Sequence, residues 1–549
     1  MSKFLFSLIT ATLFITTGHT QVFNLVKDIN AGVSNANPSN FTNVNGTLFF
    51  TATNAVNGTE LWKSGGTTLT TVMVKDINPG AASSSPSNFL NINGTLYFRA
   101  NNGVTGVELW KSDGTAAGTV MVKDINPGAA SSSPLQLSNL NGTLIFSATT
   151  PTEGRELWKS DGTAATTVLI KDINAGADNS SPSWFTDLNG DLYFAATDAV
   201  AGSELWKTDG TAAGTVLIKD IFPGIDPFTS DPNSSFPVGL ITVNNILFFR
   251  AFDLTEGWSL WKSDGTLAGT MLVKPGGGIS MPGWLTDVNN TLFFISSDDQ
   301  LWKSDGTAIG TVMVKEIDPT AGLSLPQYLV NVNGTLFFAA QDPLNNYQLW
   351  KSNGTAASTI MVKNVIPENL ANCNGTLYFS GNNGINGEEI WKSNGTTVST
   401  VMVQDIAIPG NASPVGFTLI GIKIFVAATD GTTGRELWMG RLPATHGFIT
   451  LNNNVEVMDN NYTVGKQNKA ELYPNPVAEN TTLLIRAEKN QIAAYHIFDQ
   501  NGRIVQQRTT AITGGLNTIS IAASHLPAGM YTIVINIDAK DIPVRFVKQ

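Results

Sequence analysis

Nine of the twelve tryptophans in this chain recur in copies of one phrase, and that repetition limits what the chain can fold into. They are Trp62, Trp110, Trp158, Trp206, Trp261, Trp302, Trp350, Trp391 and Trp438. The clearest copy reads Glu108-Leu109-Trp110-Lys111-Ser112-Asp113-Gly114-Thr115, then, after a short gap, Thr119-Val120-Met121-Val122-Lys123-Asp124-Ile125. The tryptophans are 48, 48, 48, 55, 41, 48, 41 and 47 residues apart. A period in the forties, with β-type residues and turn signals in every copy, marks an array of small sheets. The motif tryptophans are expected to pack between those sheets.

One unit shows the construction. Ser85–Ile92 reads as a strand, Asn93-Gly94 as a hairpin turn, and Thr95–Ala100 as a second strand. Val107–Ser112 and Thr119–Ile125 supply a third and fourth strand around Asp113-Gly114-Thr115. Four antiparallel strands per period describe a blade of a β-propeller. Leu96 and Phe98 alternate with Tyr97, so both faces of the strand are apolar, as in a sheet covered on both sides. Phe23–Ile29 is a fourth-strand sequence with no strands before it, and the last motif, Glu436-Leu437-Trp438, has no fourth strand after it. The amino-terminal strand can therefore complete the last sheet and remove both open edges. The expected fold is all-β: a propeller of about nine four-stranded blades over residues 21–440.

A net charge of −11, with lysines spread one or two per repeat, excludes a nucleic-acid surface. The single cysteine, Cys373, allows no intramolecular disulfide and stands where other copies carry Val, Ile or Leu. The four histidines, His19, His446, His496 and His525, all lie outside 21–440. That removes histidine-based triads and histidine-bound zinc or copper from the repeats, and leaves carboxylate-pair chemistry open. Asp113, Asp161, Asp209, Asp264 and Asp305 read as turn caps, because Gly65, Asn353 and Asn394 replace them in other copies. A calcium role would lose ligand charge at each replacement. No metal or other cofactor is expected, and calcium is left open.

Ligand chemistry is sought where the repeat is broken. The largest insertion, Phe222–Phe236, holds Asp226, Asp231 and Asn233. A second departure, Asp253–Trp258, holds Glu256 and Trp258, and Trp184 and Trp284 are also non-motif tryptophans. Exposed tryptophans beside acids and amides suit sugar stacking, and equally suit loop anchoring. The candidate ligand-binding set is Trp184, Asp226, Asp231, Glu256, Trp258 and Trp284, with no catalytic residue assigned. The pairs Asp298-Asp299 and Glu388-Glu389 read as solvated loop charges. The functional expectation is a non-catalytic binding or adhesion protein for a polysaccharide or protein ligand. The alternative is a carbohydrate-active hydrolase or lyase using carboxylates in the irregular loops.

The two ends concern export. Residues 1–20 combine Lys3, the apolar run Phe4–Ile15 and small polar residues, as in a secretory signal peptide cleaved before Gln21. The run is too short to span a bilayer, so no transmembrane segment is expected in the mature chain. Residues 441–470 read as an irregular polar linker. Residues 471–549 hold short strands, Thr482–Ile485, Ala493–Asp499, Thr518–Ile521 and Tyr531–Ile537, as in a small Ig-like β-sandwich. The order Tyr473-Pro474-Asn475-Pro476, a hairpin Ile497–Val505 around Gly502, a Leu526–Tyr531 segment with Gly529, and Phe546-Val547-Lys548 resembles the type A C-terminal sorting domain. Such domains direct cargo through the type IX (Por) secretion system of Bacteroidetes-type bacteria. The chain ends Lys548-Gln549, where many of them end in Lys or Arg. The resemblance implies the type IX machinery as a partner and passage through the periplasm to the outer cell surface or medium. The repeats resemble the ELWxxDGT repeat family of bacterial secreted proteins, which implies secretion and a propeller-like scaffold but no particular activity.

Overall fold

The computed structural model describes residues 21–275, 280–318, 324–342 and 345–442. Beyond these it describes 448–451, 455–458, 469–473, 480–487, 491–499, 503–512, 515–524, 526–527, 529–537 and 540–548. The signal-peptide assignment falls outside the described residues. Contacts divide the chain into two compact units, Thr20–Arg441 and Leu442–Gln549.

In the first unit, nine four-stranded antiparallel sheets follow one another. Blade 1 is built from Ser39–Val44, Thr47–Asn54, Gly58–Ser64 and Val72–Lys75. Blades 2 to 8 repeat it, beginning at Ser87, Leu135, Ser183, Val238, Gly283, Gln327 and Ile366. Blade 9 takes Val415–Ile420, Lys423–Thr429 and Arg435–Arg441 from the end of the array and Phe23–Lys27 from its start. Phe23 pairs with Gly440 and Leu25 with Trp438, so the ring closes as the split repeat requires. Neighbouring first strands contact one another all the way round, with Val415–Ile420 reaching Ser39–Val44. The first strand is therefore innermost and the nine of them surround the axis.

Apolar residues on both faces of each sheet form the inter-blade cores. Leu48, Phe50 and Ala52 pack with Trp62 against Val26, Phe425 and Leu437 of blade 9. Their strand neighbours Phe49 and Leu61 pack against Leu96, Phe98 and Trp110 of blade 2. Eight motif tryptophans are buried in this way, and Trp302 is half-buried.

Two polar devices recur between these cores. The last residue of the fourth strand is usually lysine, and its ammonium reaches forward over the tryptophan of the next blade. Lys123 lies 5.8 Å from the Trp158 ring centroid and donates to the Thr167 carbonyl at 2.8 Å. The motif glutamate supplies the second device. Glu156 is fully buried and accepts backbone N–H bonds from Ile173 at 2.8 Å and Ser180 at 2.7 Å, and a third bond from the Ser180 hydroxyl. It thereby ties the third strand to the connector leading to the next blade. Burial pushes the carboxyls of Glu156, Glu204, Glu389 and Glu436 up to about 7, against the N–H donors that favour the charged form.

This corrects the reading of Glu388-Glu389 as solvated charges. Glu389 is the motif glutamate of blade 8, fully buried, with Ile406 donating to it at 2.7 Å.

The second unit holds a three-stranded and a four-stranded antiparallel sheet, each including strands from 480–548. The four short strands expected there lie within Asn480–Ala487, Gln491–Asp499, Gly515–Ala522 and Gly529–Ile537. Ile504–Ile512 and Lys540–Lys548 complete the four-stranded sheet. Residues 441–470 are not wholly irregular: Phe448–Leu451 pairs with Val455–Met458. Tyr473 ends the strand Lys469–Tyr473, Gly529 opens another, and Tyr531 is buried with its hydroxyl donating to the Pro527 carbonyl at 2.9 Å. Pro474, Asn475, Pro476 and Gly502 lie outside the described residues.

Candidate functional site

Antiparallel order puts the inter-blade connectors and the loops between second and third strands at the same end of the strands. The two irregular loops named above are one of each kind. The connector 222–236 enters blade 5, and the loop 253–257 belongs to blade 5 itself, so topology alone brings them to one face.

There they enclose a cavity of about 470 Å³ lined by Phe222, Asp226, Thr229, Asp231, Pro232, Asn233, Ser234, Phe236, Phe252 and Trp258. Four aromatic rings form its apolar part. Phe252 meets Trp258 edge-on at 5.7 Å, Phe222 lies 5.4 Å from Phe252, and Phe236 lies 6.5 Å from Trp258. Arg250 stacks its guanidinium 5.0 Å from the Trp258 centroid and fixes that ring from beneath. The insertion carries the polar part. Asp226 accepts from the Phe228 N–H at 2.7 Å, and its own N–H donates to the Asp231 carbonyl at 2.9 Å. Asn233 is tied back by its side-chain amide to the Pro223 carbonyl at 3.2 Å. These bonds close the insertion on itself and hold both aspartates at the cavity.

Asp226, Asp231 and Trp258 are thus brought together, whereas three other candidates are not. Glu256 is half-buried in the turn before Trp258, its N–H bound to Asp253 at 2.7 Å, and does not line the cavity. Trp184 and Trp284 stand on the innermost strands of blades 4 and 6. Both are about half exposed, at 48% and 52%. Sequence reasoning missed Phe222, Phe236 and Phe252 as lining residues. Phe236 could have been found by aligning the copies, since the same place before the conserved-position proline holds Ser85, Ser133, Ser181 and Ser413 elsewhere.

Other acids and the thiol are structural. Asp298 is exposed, as expected, but its carboxylate receives the Trp302 indole N–H at 3.0 and 3.1 Å, and Asp299 is half-buried. Asp113 accepts from the Thr115 N–H at 2.8 Å and so caps its turn. Cys373 is buried, which pushes its thiol up to about 12. Among the described residues, no group of three or more His, Cys, Asp or Glu is placed to hold a metal ion. Among them, too, no helix is long and apolar enough to cross a membrane.

Comparison with known proteins adds the following. The family model of the secretion system C-terminal sorting domain matches residues 471–549. No curated protein matches the chain. Similar solved structures include PorZ, an essential bacterial surface component of the type-IX secretion system of Porphyromonas gingivalis. It is 10% identical with a TM-score of 0.35, over 93% of this chain and 75% of that one. A puromycin hydrolase is 12% identical with a TM-score of 0.35, over 63% of this chain and 58% of that one. BamB from Moraxella catarrhalis is 11% identical with a TM-score of 0.34, over 66% of this chain and 99% of that one. The sorting domain at 471–549 marks the protein for export to the cell surface or for secretion.

Proposed function

We propose that the exported chain is a non-catalytic binding or adhesion protein, and that the cavity between blades 4 and 5 takes part of a polysaccharide or protein ligand. One observation carries this reading. The repeat is interrupted by an insertion whose aspartates, amide and aromatic rings converge on a single cavity. The repeats are of the ELWxxDGT type in this reading, and the type IX machinery is the partner during export. The hydrolase or lyase alternative uses the same carboxylates, Asp226 and Asp231.

The full chain, incubated with a polysaccharide panel with and without calcium, separates the two. Retention without new chain ends, lost in Trp258→Ala and Asp231→Asn, supports binding. New chain ends that vanish in Asp226→Asn or Asp231→Asn overturn it in favour of an enzyme. No retention at all removes the polysaccharide ligand and leaves a protein one, to be sought by cross-linking at the cell surface.

A further inference from the structure

Every innermost strand carries a bulge at the same place, between pairs such as Ser39/Thr42, Ser183/Thr186 and Gly283/Thr286. Its second residue is left-handed in all nine blades: Asn40, Asn88, Gln136, Trp184, Gly239, Trp284, Tyr328, Asn369 and Gly416. Glycine and asparagine tolerate that backbone, whereas a bulky side chain is held there at a cost of roughly 1–2 kcal/mol. Trp184 adopts φ 62° and Trp284 φ 54°. Both remain about half exposed, so each leaves a large part of an indole in solvent, which no core position calls for. Neither the backbone preference nor a place in the buried core calls for tryptophan at positions where asparagine, glutamine and glycine serve in other blades.

A ligand does account for it. The bulge places these residues second in the innermost strands, at the connector end of the inner ring. Trp284 is set edge-on against Tyr328 at 5.6 Å, and between Trp184 and Trp284 stands Gly239, where an added Cβ would meet nothing within 4 Å. None of the nine positions is charged, four carry amides, and the chain as a whole is at −11. Ring faces for sugar C–H surfaces, amides for hydroxyls, and no cation for a polyanion describe an uncharged glycan. We infer that Trp184, Trp284 and Tyr328 form an arc around the ring opening that binds a segment of a neutral polysaccharide chain. The inference rests on the binding reading above and names the ligand class, at a subsite separate from the Trp258 cavity.

The repeats supply the control substitutions. Trp184→Asn and Trp284→Asn install the residue that blades 1, 2 and 8 carry at the same left-handed position. Binding of neutral β- and α-linked glucan and xylan oligosaccharides to the full chain is measured by calorimetry, beside each variant's melting temperature. The expected result is affinity about tenfold weaker in each variant, the loss of one aromatic stack, with melting temperature unchanged or raised, and with Trp258→Ala removing the cavity's separate contribution. Loss confined to Trp258→Ala places the glycan in the cavity, overturning the arc while sparing the binding reading. Binding only of acidic polysaccharides, or of no glycan, overturns the ligand class. A clear fall in melting temperature in both asparagine variants shows the tryptophans to be packing residues and overturns the premise. Met281→Ser and Leu325→Ser, matched to the serines before the proline in other blades, are expected to leave glycan affinity unchanged.

Discussion

Gln404 accepts a hydrogen bond from the backbone N–H of Phe23 at 2.7 Å. In seven of the other eight blades the fourth strand ends in lysine, and in blade 5 Lys274 lies two residues past it; each lysine donates to the carbonyl of the residue just before the next fourth strand, as Lys27 does to Thr71 at 2.9 Å. Phe23 occupies the place of Thr71, because Leu25 faces Trp438 as Met73 faces Trp62. At the junction where the chain is split, the partner offers N–H in place of C=O, and an acceptor replaces the donor. Gln404→Lys sets two donors against each other. It is expected to lower unfolding free energy by about 1–3 kcal/mol, read by urea denaturation, and an unchanged midpoint would refute the pairing.

The forward lysines make a second expectation. Lys123→Met keeps the aliphatic stem over Trp158 but removes the bond to Thr167 and the charge over the ring. A loss of about 1–2 kcal/mol is expected, and Lys123→Arg should recover part of it. Equal stability of all three proteins would deny the contact any weight.

The buried glutamates set a pH dependence whose sign is fixed. Folding raises the Glu156, Glu204, Glu389 and Glu436 carboxyls from 4.5 to about 7. Stability from such acids is fully present below the unfolded value and is lost as pH rises through the folded one. The melting temperature should therefore fall between about pH 4.5 and pH 7 and level off above that. Glu204→Gln should flatten that slope, as Gln300 and Gln348 already replace the motif glutamate in blades 6 and 7. A slope of opposite sign, or one that four such substitutions leave intact, would assign the dependence to other groups.

Gly202 couples the scaffold to the cavity. It is left-handed at φ 71°, and a Cβ there would lie 2.1 Å from the Asn233 carbonyl oxygen. Gly202→Ala must displace the end of the insertion, at a cost of about 1–3 kcal/mol. Melting should record the loss, and ligand retention through Trp258 should weaken more than in Gly431→Ala, a glycine whose Cβ would meet nothing within 4 Å.

Blade number, strand order and the closing role of Phe23–Lys27 could be read from the chain because repetition shows one pattern nine times. A side chain's depth could not. The motif glutamate looks like any acid beside a strand, and the sequence contains no sign that three donors surround it. Comparing each residue with its eight counterparts would have shown more: Phe236 where four copies have serine, and Trp184, Trp284 and Tyr328 in place of asparagine, glutamine or glycine. The left-handed bulge that makes those replacements informative depends on how the first two strands register, which composition and spacing do not encode. Asp226 and Asp231 line the cavity because the insertion carries them there, and Glu256 does not, because nearness along the chain is not nearness at the cavity.

The lysine that reaches forward over its neighbour's tryptophan makes the array a chain of identical couplings. A whole 48-residue copy gained or lost between blades 1 and 8 leaves every coupling matched. Recombination inside the gene can therefore lengthen or shorten the array without inventing a new junction. Gln404 and Phe23 do not share that freedom. Although they lie far apart along the chain, they meet at one junction, where Gln404 answers a backbone N–H that any residue but proline at position 23 would supply.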